Sequence, residues 1–326
     1  MLSIPSRDEM KQAFCTLFDI GFAPQGIALL QSIEKFMPEA DRIVLAMDEQ
    51  VPVLLRKVFG SSVHVIPLSD LETPELLNVK PTRSRGEYCW TLTPFLPDYV
   101  LRNFSNIDTV TYVDADVWFL SSPQLILNEL QLSGKQVLIT EHGYDPKYDQ
   151  TQNCGRFCVQ FTSFQRSEGA REVLDWWKSR CLEWCFARFE DGKFGDQKYL
   201  DVWPDLFANS VHVYTKPQHT LAPWNVEWYL NSSMSSKTAR PVLYHFHGLR
   251  LFLDRTCLFD GYFISRNTQK LFYAPYLEHI TLLIGENGGP LSFGIQPWKK
   301  TFTEKLRYLS RRIRKKTRLI GTIQNL

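Results

Sequence analysis

Two periods of apolar and polar residues recur along the chain, and they distinguish predicted strands from predicted helices. Short apolar runs are typical of buried strands, whereas apolar residues three or four positions apart are typical of helices with one buried face. The strand pattern is found at residues 12–20, 42–47, 63–66, 110–120 and 137–140. The helical pattern is found at residues 27–36, 51–59 and 167–187. The β-α-β-α-β order at the start of the chain predicts an α/β fold with a mixed, mostly parallel sheet and covering helices.

Composition indicates one large folded region followed by a chemically different tail. The chain has 326 residues, of which 44% are hydrophobic and 13% aromatic, and this is enough for a substantial core. Ten basic residues and one acidic residue lie between Lys299 and Arg318, so the rest of the chain is net acidic. Glycines and prolines over residues 285–297 predict a hinge. We therefore expect one domain over residues 1–285, and a hinge with a basic tail over 286–326.

Apolar residues of the tail recur at helical steps between the basic ones. They are Phe302, Leu306, Leu309, Ile313 and Ile320. This spacing predicts a basic amphipathic helix, which is the type of segment that binds an anionic membrane surface. A helix packed on its own domain is the alternative. Nucleic acid is not an expected partner, because few aromatic side chains in the tail could stack on bases.

Seven cysteines are scattered among apolar neighbours, and their odd number argues against a disulfide framework. No signal peptide and no apolar run long enough to span a bilayer is recognisable, so a reduced, cytoplasmic setting is expected. Two pairs, Cys154 with Cys158 and Cys181 with Cys185, could in principle form a four-thiolate zinc site. Structural zinc sites usually have tighter spacing, so buried apolar cysteines are the favoured interpretation.

The most informative polar residues are Asp114 and Asp116, which interrupt the apolar run 110–120. Burial of an unpaired carboxylate costs several kcal/mol, so two carboxylates in such a run predict a bound cation. Oxygen ligands suit Mg²⁺ or Mn²⁺, and His245 as a third ligand favours Mn²⁺. Asp19 also lies at the end of a predicted strand, and ligands of open parallel sheets bind at the carboxyl ends of strands. These residues are therefore predicted to share one crevice.

Several short motifs occur in a fixed order around this Asp-x-Asp pair. They are Phe18-Asp19-x-x-Phe22-x-x-x-Gly26, Tyr112-Val-Asp-Ala-Asp-Val, Asn153-Cys-Gly155, Asp196-Gln197-x-x-Leu200, Trp224-Asn225 and His245-Phe-x-Gly248. In type and order they resemble the metal-dependent GT-A glycosyltransferases, in particular glycosyltransferase family 8 and related bacterial lipopolysaccharide enzymes. The resemblance covers residues 12–255. It implies a Rossmann-like nucleotide-diphospho-sugar transferase fold and a catalytic domain over 1–285.

The resemblance also implies a role for each matching residue. The expected ligands of Mn²⁺ or Mg²⁺ are Asp114, Asp116 and His245. The expected catalytic residues, which lie beside the transferred sugar in this family, are Asp196 and Gln197. The expected binding residues of a UDP-sugar donor are Phe18, Asp19, Phe22, Asp114, Asn153 and Gly248, together with Arg85 and Arg250, which stand close to positions that depart from the family and could supply the basic charge there. The expected acceptor-binding residues are Trp224 and Asn225.

Three departures from the family pattern affect these assignments. Trp90 stands where the family commonly has an arginine, and Arg83 and Arg85 lie close enough in sequence to replace the lost charge. Leu251 stands where a phosphate-contacting lysine is expected, next to an arginine. Residues 156–166 do not continue the usual strand pattern, which weakens the match at the neighbouring asparagine.

Elementary chemistry is consistent with the function that the resemblance implies. Displacement of UDP from an anomeric carbon passes through an oxocarbenium-like state, which requires a neutralised leaving diphosphate and a carboxylate or amide at the ring face. We expect a metal-dependent hexosyltransferase that transfers a hexose or N-acetylhexosamine, with retention, from a UDP-sugar to a glycan or glycolipid acceptor. Lipopolysaccharide or a related surface glycan is the expected product. The expected location is cytoplasmic, at the inner face of the membrane through the tail.

Two other functions fit part of the sequence. A haloacid-dehalogenase-like phosphohydrolase also has Asp-x-Asp after an apolar strand, and Gly195-Asp196-x-x-x-x-Asp201 is similar to its later metal motif. That later motif should follow a buried strand, whereas residues 189–194 are polar and typical of a loop. The other alternative is a sugar-nucleotide-binding protein without catalytic activity.

Overall fold

A seven-stranded sheet forms the centre of the computed structural model, which describes residues 10–231, 240–251, 256–284 and 317–322. In chain order the strands of the described residues are β1 (Gln12–Phe18), β2 (Asp41–Ala46), β3 (His64–Pro67), β4 (Thr109–Val113), β5 (Val117–Phe119), β6 (Val137–Glu141), β7 (Phe157–Gln165), β8 (Val211–Tyr214), β9 (Thr220–Leu221), β10 (Leu243–His245), β11 (Leu249–Leu251), β12 (Thr256–Asp260) and β13 (Thr317–Thr322). The large sheet has the order β3-β2-β1-β4-β7-β6-β8, and two small sheets have the orders β5-β10-β9 and β11-β12-β13.

Helices cover both faces of the large sheet. In chain order they are α1 (Ala23–Phe36), α2 (Gln50–Phe59), α3 (Leu68–Leu71), α4 (Pro74–Val79), α5 (Arg85–Leu92), α6 (Phe95–Asn103), α7 (Gln124–Ser133), α8 (Thr151–Cys154), α9 (Glu168–Glu183), α10 (Trp203–Leu206), α11 (Val226–Asn231), α12 (Arg266–Thr268) and α13 (Ala274–Ile284). Short 3₁₀ turns lie between them, and a π-helical turn over Gln269–Tyr273 joins α12 to α13. Among the described residues, no helix combines the length and the apolar character needed to cross a membrane.

Strand direction confirms the predicted α/β architecture. Strand β1 pairs in parallel with β2 and β4, β2 pairs in parallel with β3, and β6 pairs in parallel with β8. Strand β7 runs antiparallel to both of its neighbours, β4 and β6. Along β1 the side chains alternate between two core clusters, since Ala13, Cys15 and Leu17 belong to one and Phe14 to another. The sheet is therefore buried on both faces, which explains the continuous apolar strand pattern.

Local capping explains where predicted elements end. The predicted strand 12–20 stops at Phe18 because the Asp19 carboxylate accepts hydrogen bonds from the N–H groups of Gly21 and Phe22 and starts a 3₁₀ turn. Helix α5 begins with a capping box between Ser84 and Glu87, in which each side chain accepts from the other residue's N–H. The 3₁₀ turn thus lies at the carboxyl end of β1. Helix α5 begins beside it, because its first residue, Arg85, contacts Asp19.

Residues 156–166, where the sequence does not continue the family's usual strand pattern, nevertheless contain a strand. Strand β7 is nine residues long and lies between β4 and β6. Its polar residues Gln160, Thr162 and Ser163 are fully buried and mask the apolar pattern of a central strand. The Ser163 and Thr111 hydroxyls are hydrogen-bonded to each other at 2.9 Å, which offsets part of the cost of burying polar groups here.

The prediction of a helix in the tail is wrong for the part of the tail that the structure describes. Residues Thr317–Thr322 form β13, antiparallel to β12, whereas the spacing of apolar residues predicts a helix as far as Ile320. Three of the six residues are β-branched, which favours a strand once a partner strand is available. The remaining basic segment, residues 285–316, lies outside the described residues.

A glycine in α1 sets how closely this helix approaches β1. A Cβ atom added at Gly26 would lie 2.4 Å from a ring carbon of Phe18, which is buried. We expect Gly26→Ala to lower the free energy of unfolding by about 1–3 kcal/mol through overpacking, measured by urea denaturation. Gly86→Ala in α5 is the matched control, because nothing lies within 4 Å of its added Cβ, and about 0.5–1 kcal/mol of stabilisation is expected. Equal stability changes in the two variants would contradict the close approach.

Candidate metal and donor site

Three metal-ligand side chains converge where the large sheet meets the first small sheet. Asp114 follows β4, and a tight turn, in which Val117 N–H donates to Asp114 C=O at 3.1 Å, brings Asp116 to the start of β5. Strand β10 pairs antiparallel with β5 and sets His245 opposite Val117. One ligand atom from each of the three side chains lies within 4.8 Å of the others. The predicted cluster of Asp114, Asp116 and His245 is therefore present.

The histidine of this cluster is oriented as a metal ligand would be. His245 is 3% exposed, and its Nδ1 donates to Gln160 Oε1 at 2.9 Å. Its Nε2 lies 3.0 Å from Asp116 Oδ1 and 3.8 Å from Asp114 Oδ2 but makes no hydrogen bond of good geometry. Among the described residues, an imidazole nitrogen buried between two carboxylates without a well-formed hydrogen bond is the donor set of a divalent cation. In the described part of the chain, no group of this kind includes a cysteine thiol, which disfavours the zinc alternative.

The protonation of the cluster follows from burial and mutual charge. Burial raises the pKa of Asp114 to about 6, with His245 opposing the shift and Asp116 adding to it. Burial also acts to raise the pKa of Asp116, but the neighbouring His245 outweighs it and lowers that pKa. Burial acts to lower the pKa of His245, yet the two carboxylates raise it well above its usual value. Without a cation, the carboxylates therefore hold positive charge on the imidazole.

Asp196, in the loop after α9, is a further acidic residue close to the metal-ligand cluster. Asp196 is 5% exposed, and its backbone carbonyl accepts a hydrogen bond from Trp177 Nε1 at 2.9 Å. Burial raises the pKa of its carboxyl group to about 7, and the charge of Asp114 adds to this shift. Gln197 donates from Nε2 to the carbonyl of Cys154 at 3.0 Å and so ties this loop to α8. Asp196 thus lies near enough to Asp114 for their charges to interact, and the catalytic roles of Asp196 and Gln197 stay predictions.

Asp19 lies at the end of β1 and is clamped by an arginine. Arg85 Nε is 2.7 Å from Asp19 Oδ2, and its NH2 is 3.5 Å from Asp48 Oδ2. Asp48 follows β2 and also accepts from Ile20 N–H at 2.8 Å. Sequence reasoning missed Asp48, although a carboxylate directly after a predicted strand was the signal that identified Asp19. Phe22 is exposed beside them, 47% accessible.

The structure explains how the chain accommodates Trp90. Its ring packs on Phe194 with centroids 6.3 Å apart, and it covers Gly195, which has a φ of +53°. Arg83 points elsewhere, because its guanidinium lies over the Phe186 ring at 3.9 Å. Of the two arginines considered as replacements, Arg85 is the one that reaches the carboxylates at the strand ends.

The remaining donor-binding predictions lie on α8 and on the segment from β10 to β11. Asn153 is an exposed residue of α8, the helix held by Gln197, and Arg250 is exposed on β11. Gly248 adopts a φ of +78° between β10 and β11, a conformation that favours glycine. Their roles in donor binding stay predictions.

Trp224 and Asn225 are buried rather than presented to solvent. Trp224 Nε1 donates to the carbonyl of His142 at 2.9 Å, and Asn225 Nδ2 donates to the same carbonyl at 2.8 Å. Asn225 Oδ1 accepts from Ala222 N–H at 2.8 Å. The Trp224 ring contacts the edge of His245 at 5.4 Å between centroids, so it supports the metal ligand from behind. Acceptor binding by these two residues stays a prediction.

The residue that would complete a phosphohydrolase site is engaged elsewhere. Asp201 accepts from Arg156 N–H at 2.7 Å and pairs with Lys198 Nζ at 2.8 Å. The third member of the metal cluster is His245 instead. This arrangement disfavours the haloacid-dehalogenase-like alternative.

Comparison with solved structures identifies the fold. Two structures of the galactosyltransferase LgtC match the chain: one in complex with donor and acceptor sugar analogues (TM-score 0.53, 15% identity, 82% of this chain and 95% of LgtC), and one of an active-site glutamine-to-glutamate variant (TM-score 0.55, 17% identity, 82% and 94%). The molecule therefore has the GT-A fold, as the resemblance implied.

Sequence comparison identifies the family. No protein-family model matches the chain. The uncharacterised protein YfnF of Bacillus subtilis (strain 168) is 34% identical over 256 residues, which cover 74% of this chain and 83% of YfnF. The uncharacterised protein YfnD of the same organism is 28% identical over 273 residues, which cover 79% of this chain and 85% of YfnD. The chain belongs to the family of YfnF.

Proposed function

We propose that the protein is a metal-dependent glycosyltransferase that transfers a hexose or N-acetylhexosamine from a UDP-sugar to a glycan or glycolipid acceptor. The observation that carries this proposal is the buried cluster of Asp114, Asp116 and His245 at the strand ends of a GT-A fold. LgtC, which shares the fold, is a galactosyltransferase crystallised with donor and acceptor sugar analogues, and this supports a sugar donor and a sugar acceptor.

The donor is proposed to lie along the carboxyl ends of β1, β2 and β4. Asp19, clamped by Arg85 and backed by Phe18, is positioned to bind the nucleoside at the end of β1. Asp114, Asp116 and His245 would hold Mn²⁺ or Mg²⁺ beside the diphosphate. A divalent cation there neutralises negative charge on the departing diphosphate.

Asp196 and Gln197 are proposed to flank the reacting sugar. Asp196 lies close enough to Asp114 for their charges to interact, so a sugar next to the cluster is also next to this carboxylate. An ionised Asp196 would stabilise positive charge that develops at the anomeric carbon, and Gln197 would fix the adjacent loop. LgtC has a glutamine in its active site, which supports a role for Gln197 at this position. We propose transfer with retention, because Asp196-Gln197 resembles the acid-amide pair of the retaining enzymes.

Product and location are proposed from the sequence. Lipopolysaccharide or a related surface glycan is the proposed product, since the motif order resembles enzymes of that class. The basic tail over 286–326 is proposed to bind the anionic inner face of the membrane, which would bring a cytoplasmic enzyme to a lipid-linked acceptor.

The proposal is tested by the release of UDP from a panel of donors. We expect UDP to be released from one of UDP-glucose, UDP-galactose or their N-acetylated forms in the presence of Mn²⁺, and EDTA to abolish the release. Binding of UDP without release from any donor would support the non-catalytic alternative. Release of phosphate from a phosphomonoester would support the phosphohydrolase instead.

A further inference from the structure

Gln160 joins two candidate metal ligands that come from different strands. Its backbone carbonyl accepts from Asp114 N–H at 3.3 Å, and its side-chain Oε1 accepts from His245 Nδ1 at 2.9 Å. Gln160 is fully buried, so neither bond competes with bulk water. Gln160 of β7 therefore holds Asp114, which follows β4, and His245, at the end of β10, in fixed positions relative to each other.

The strand is irregular where this residue lies. Leu138 of β6 pairs with Ser163, whereas Thr140 pairs with Cys158, so β7 advances five residues where β6 advances two. Gln160 falls within this stretch. Irregular stretches of this kind change the direction of side chains and are common beside functional sites. Gln160 therefore lies in an irregular part of β7, with its backbone carbonyl bonded to Asp114 of the Asp-x-Asp turn.

The contact with His245 decides which ring nitrogen faces the carboxylates. Because Nδ1–H donates to Gln160, Nε2 is left between Asp116 Oδ1 and Asp114 Oδ2, at 3.0 and 3.8 Å. A histidine that binds a metal usually donates its other N–H to such an acceptor, which fixes the ring and increases its basicity. Gln160 Nε2 is itself buried and has no hydrogen-bond partner among the described residues, a cost that an apolar side chain in this position would avoid.

We propose that Gln160 is a positioning residue of the metal centre. Its side chain holds His245 with Nε2 directed at the cation site, and its backbone holds Asp114 at the same site. The inference rests on the proposed function only in that the three ligands must bind a divalent cation.

Direct measurement of Mn²⁺ affinity tests the proposal without turnover. Electron paramagnetic resonance of free Mn²⁺ during titration gives Kd for the wild-type protein and for Gln160→Met and Gln160→Glu. Gln160→Met should weaken binding about 10- to 100-fold, whereas Gln160→Glu retains the acceptor and should stay within about threefold of wild type. Thr162→Val is the matched control, because Thr162 is equally buried on β7 and its hydroxyl has no hydrogen-bond partner in the structure. This control should bind Mn²⁺ like the wild type.

The outcomes separate this inference from the proposed function. Wild-type affinity in Gln160→Met, or equal losses in Gln160→Met and Gln160→Glu with unchanged melting temperatures, would overturn the role of Gln160. If Gln160→Met does not fold, Gln160→Asn takes its place, because its shorter amide cannot reach Nδ1 and the same loss is expected. Failure of the wild-type protein to bind Mn²⁺ would overturn the metal centre itself.

Discussion

Asp116→Asn is expected to reduce UDP-sugar turnover by at least about 10³-fold while the fold is retained. The change keeps the size of the side chain but removes one of two carboxylates that converge with His245 within 4.8 Å. The remaining Asp114 and His245 cannot supply the charge that a divalent cation requires in a buried site. Asp114→Asn should have the same effect. UDP release and Mn²⁺ affinity are the two measurements, and both should fall together.

A carboxylate outside the cluster provides the control. Asp175 lies on α9, is half-exposed and pairs with Lys178 Nζ at 2.8 Å on the surface. Asp175→Asn should leave turnover unchanged and shift the free energy of unfolding by less than about 0.5 kcal/mol. Near-normal turnover in Asp114→Asn or Asp116→Asn would exclude the cluster as the site of metal-dependent transfer.

The first half of the fold could be predicted because its signals are local and long. Strands β1 to β3 and helices α1 and α2 lie within a few residues of their predicted bounds, since each carries an uninterrupted apolar period. The apolar run 110–120 predicts a single strand, whereas the structure divides it into β4 and β5 around the Asp-x-Asp turn. Strand β13 shows the opposite case, because its pairing with β12 outweighs a helical spacing of apolar residues.

The candidate site divides in the same way. The convergence of Asp114, Asp116 and His245 was predicted and is confirmed, because motif order carried information about partners 130 residues apart. Gln160 could not be found from sequence, since its contact with His245 joins residues 85 positions apart, which no local period reports. Arg85 could be named as a nearby charge, but its bond to Asp19 depends on how α5 packs beside β1.

Asp196→Asn is expected to stabilise the metal-free protein and to inactivate it. The carboxyl pKa rises from 3.8 to about 7 on folding, through burial first and then the charge of Asp114. Because the pKa is higher in the folded state, the buried carboxyl group costs no stability below pH 3.8. The free energy of unfolding then falls as the pH rises from 3.8 towards 7. Asp196→Asn should therefore be more stable than wild type by up to about 4 kcal/mol at pH 8, and the difference should shrink by about 3 kcal/mol at pH 5. Urea denaturation at both pH values measures this.

The same change removes the carboxylate proposed to face the anomeric carbon, so turnover should fall by at least about 10²-fold. Asp98→Asn is a contrasting control, because Asp98 is also largely buried but binds Lys178 Nζ at 2.6 Å and Arg102 Nε at 2.9 Å. Its neutralisation leaves Lys178 partly unpaired and should lower the free energy of unfolding by about 1–3 kcal/mol with turnover retained. A stability difference for Asp196→Asn that is independent of pH would contradict a buried carboxyl group with a raised pKa, and full activity would remove Asp196 from the reaction. A gain in stability together with a loss of turnover is the signature expected of a charge kept for function at the expense of the fold.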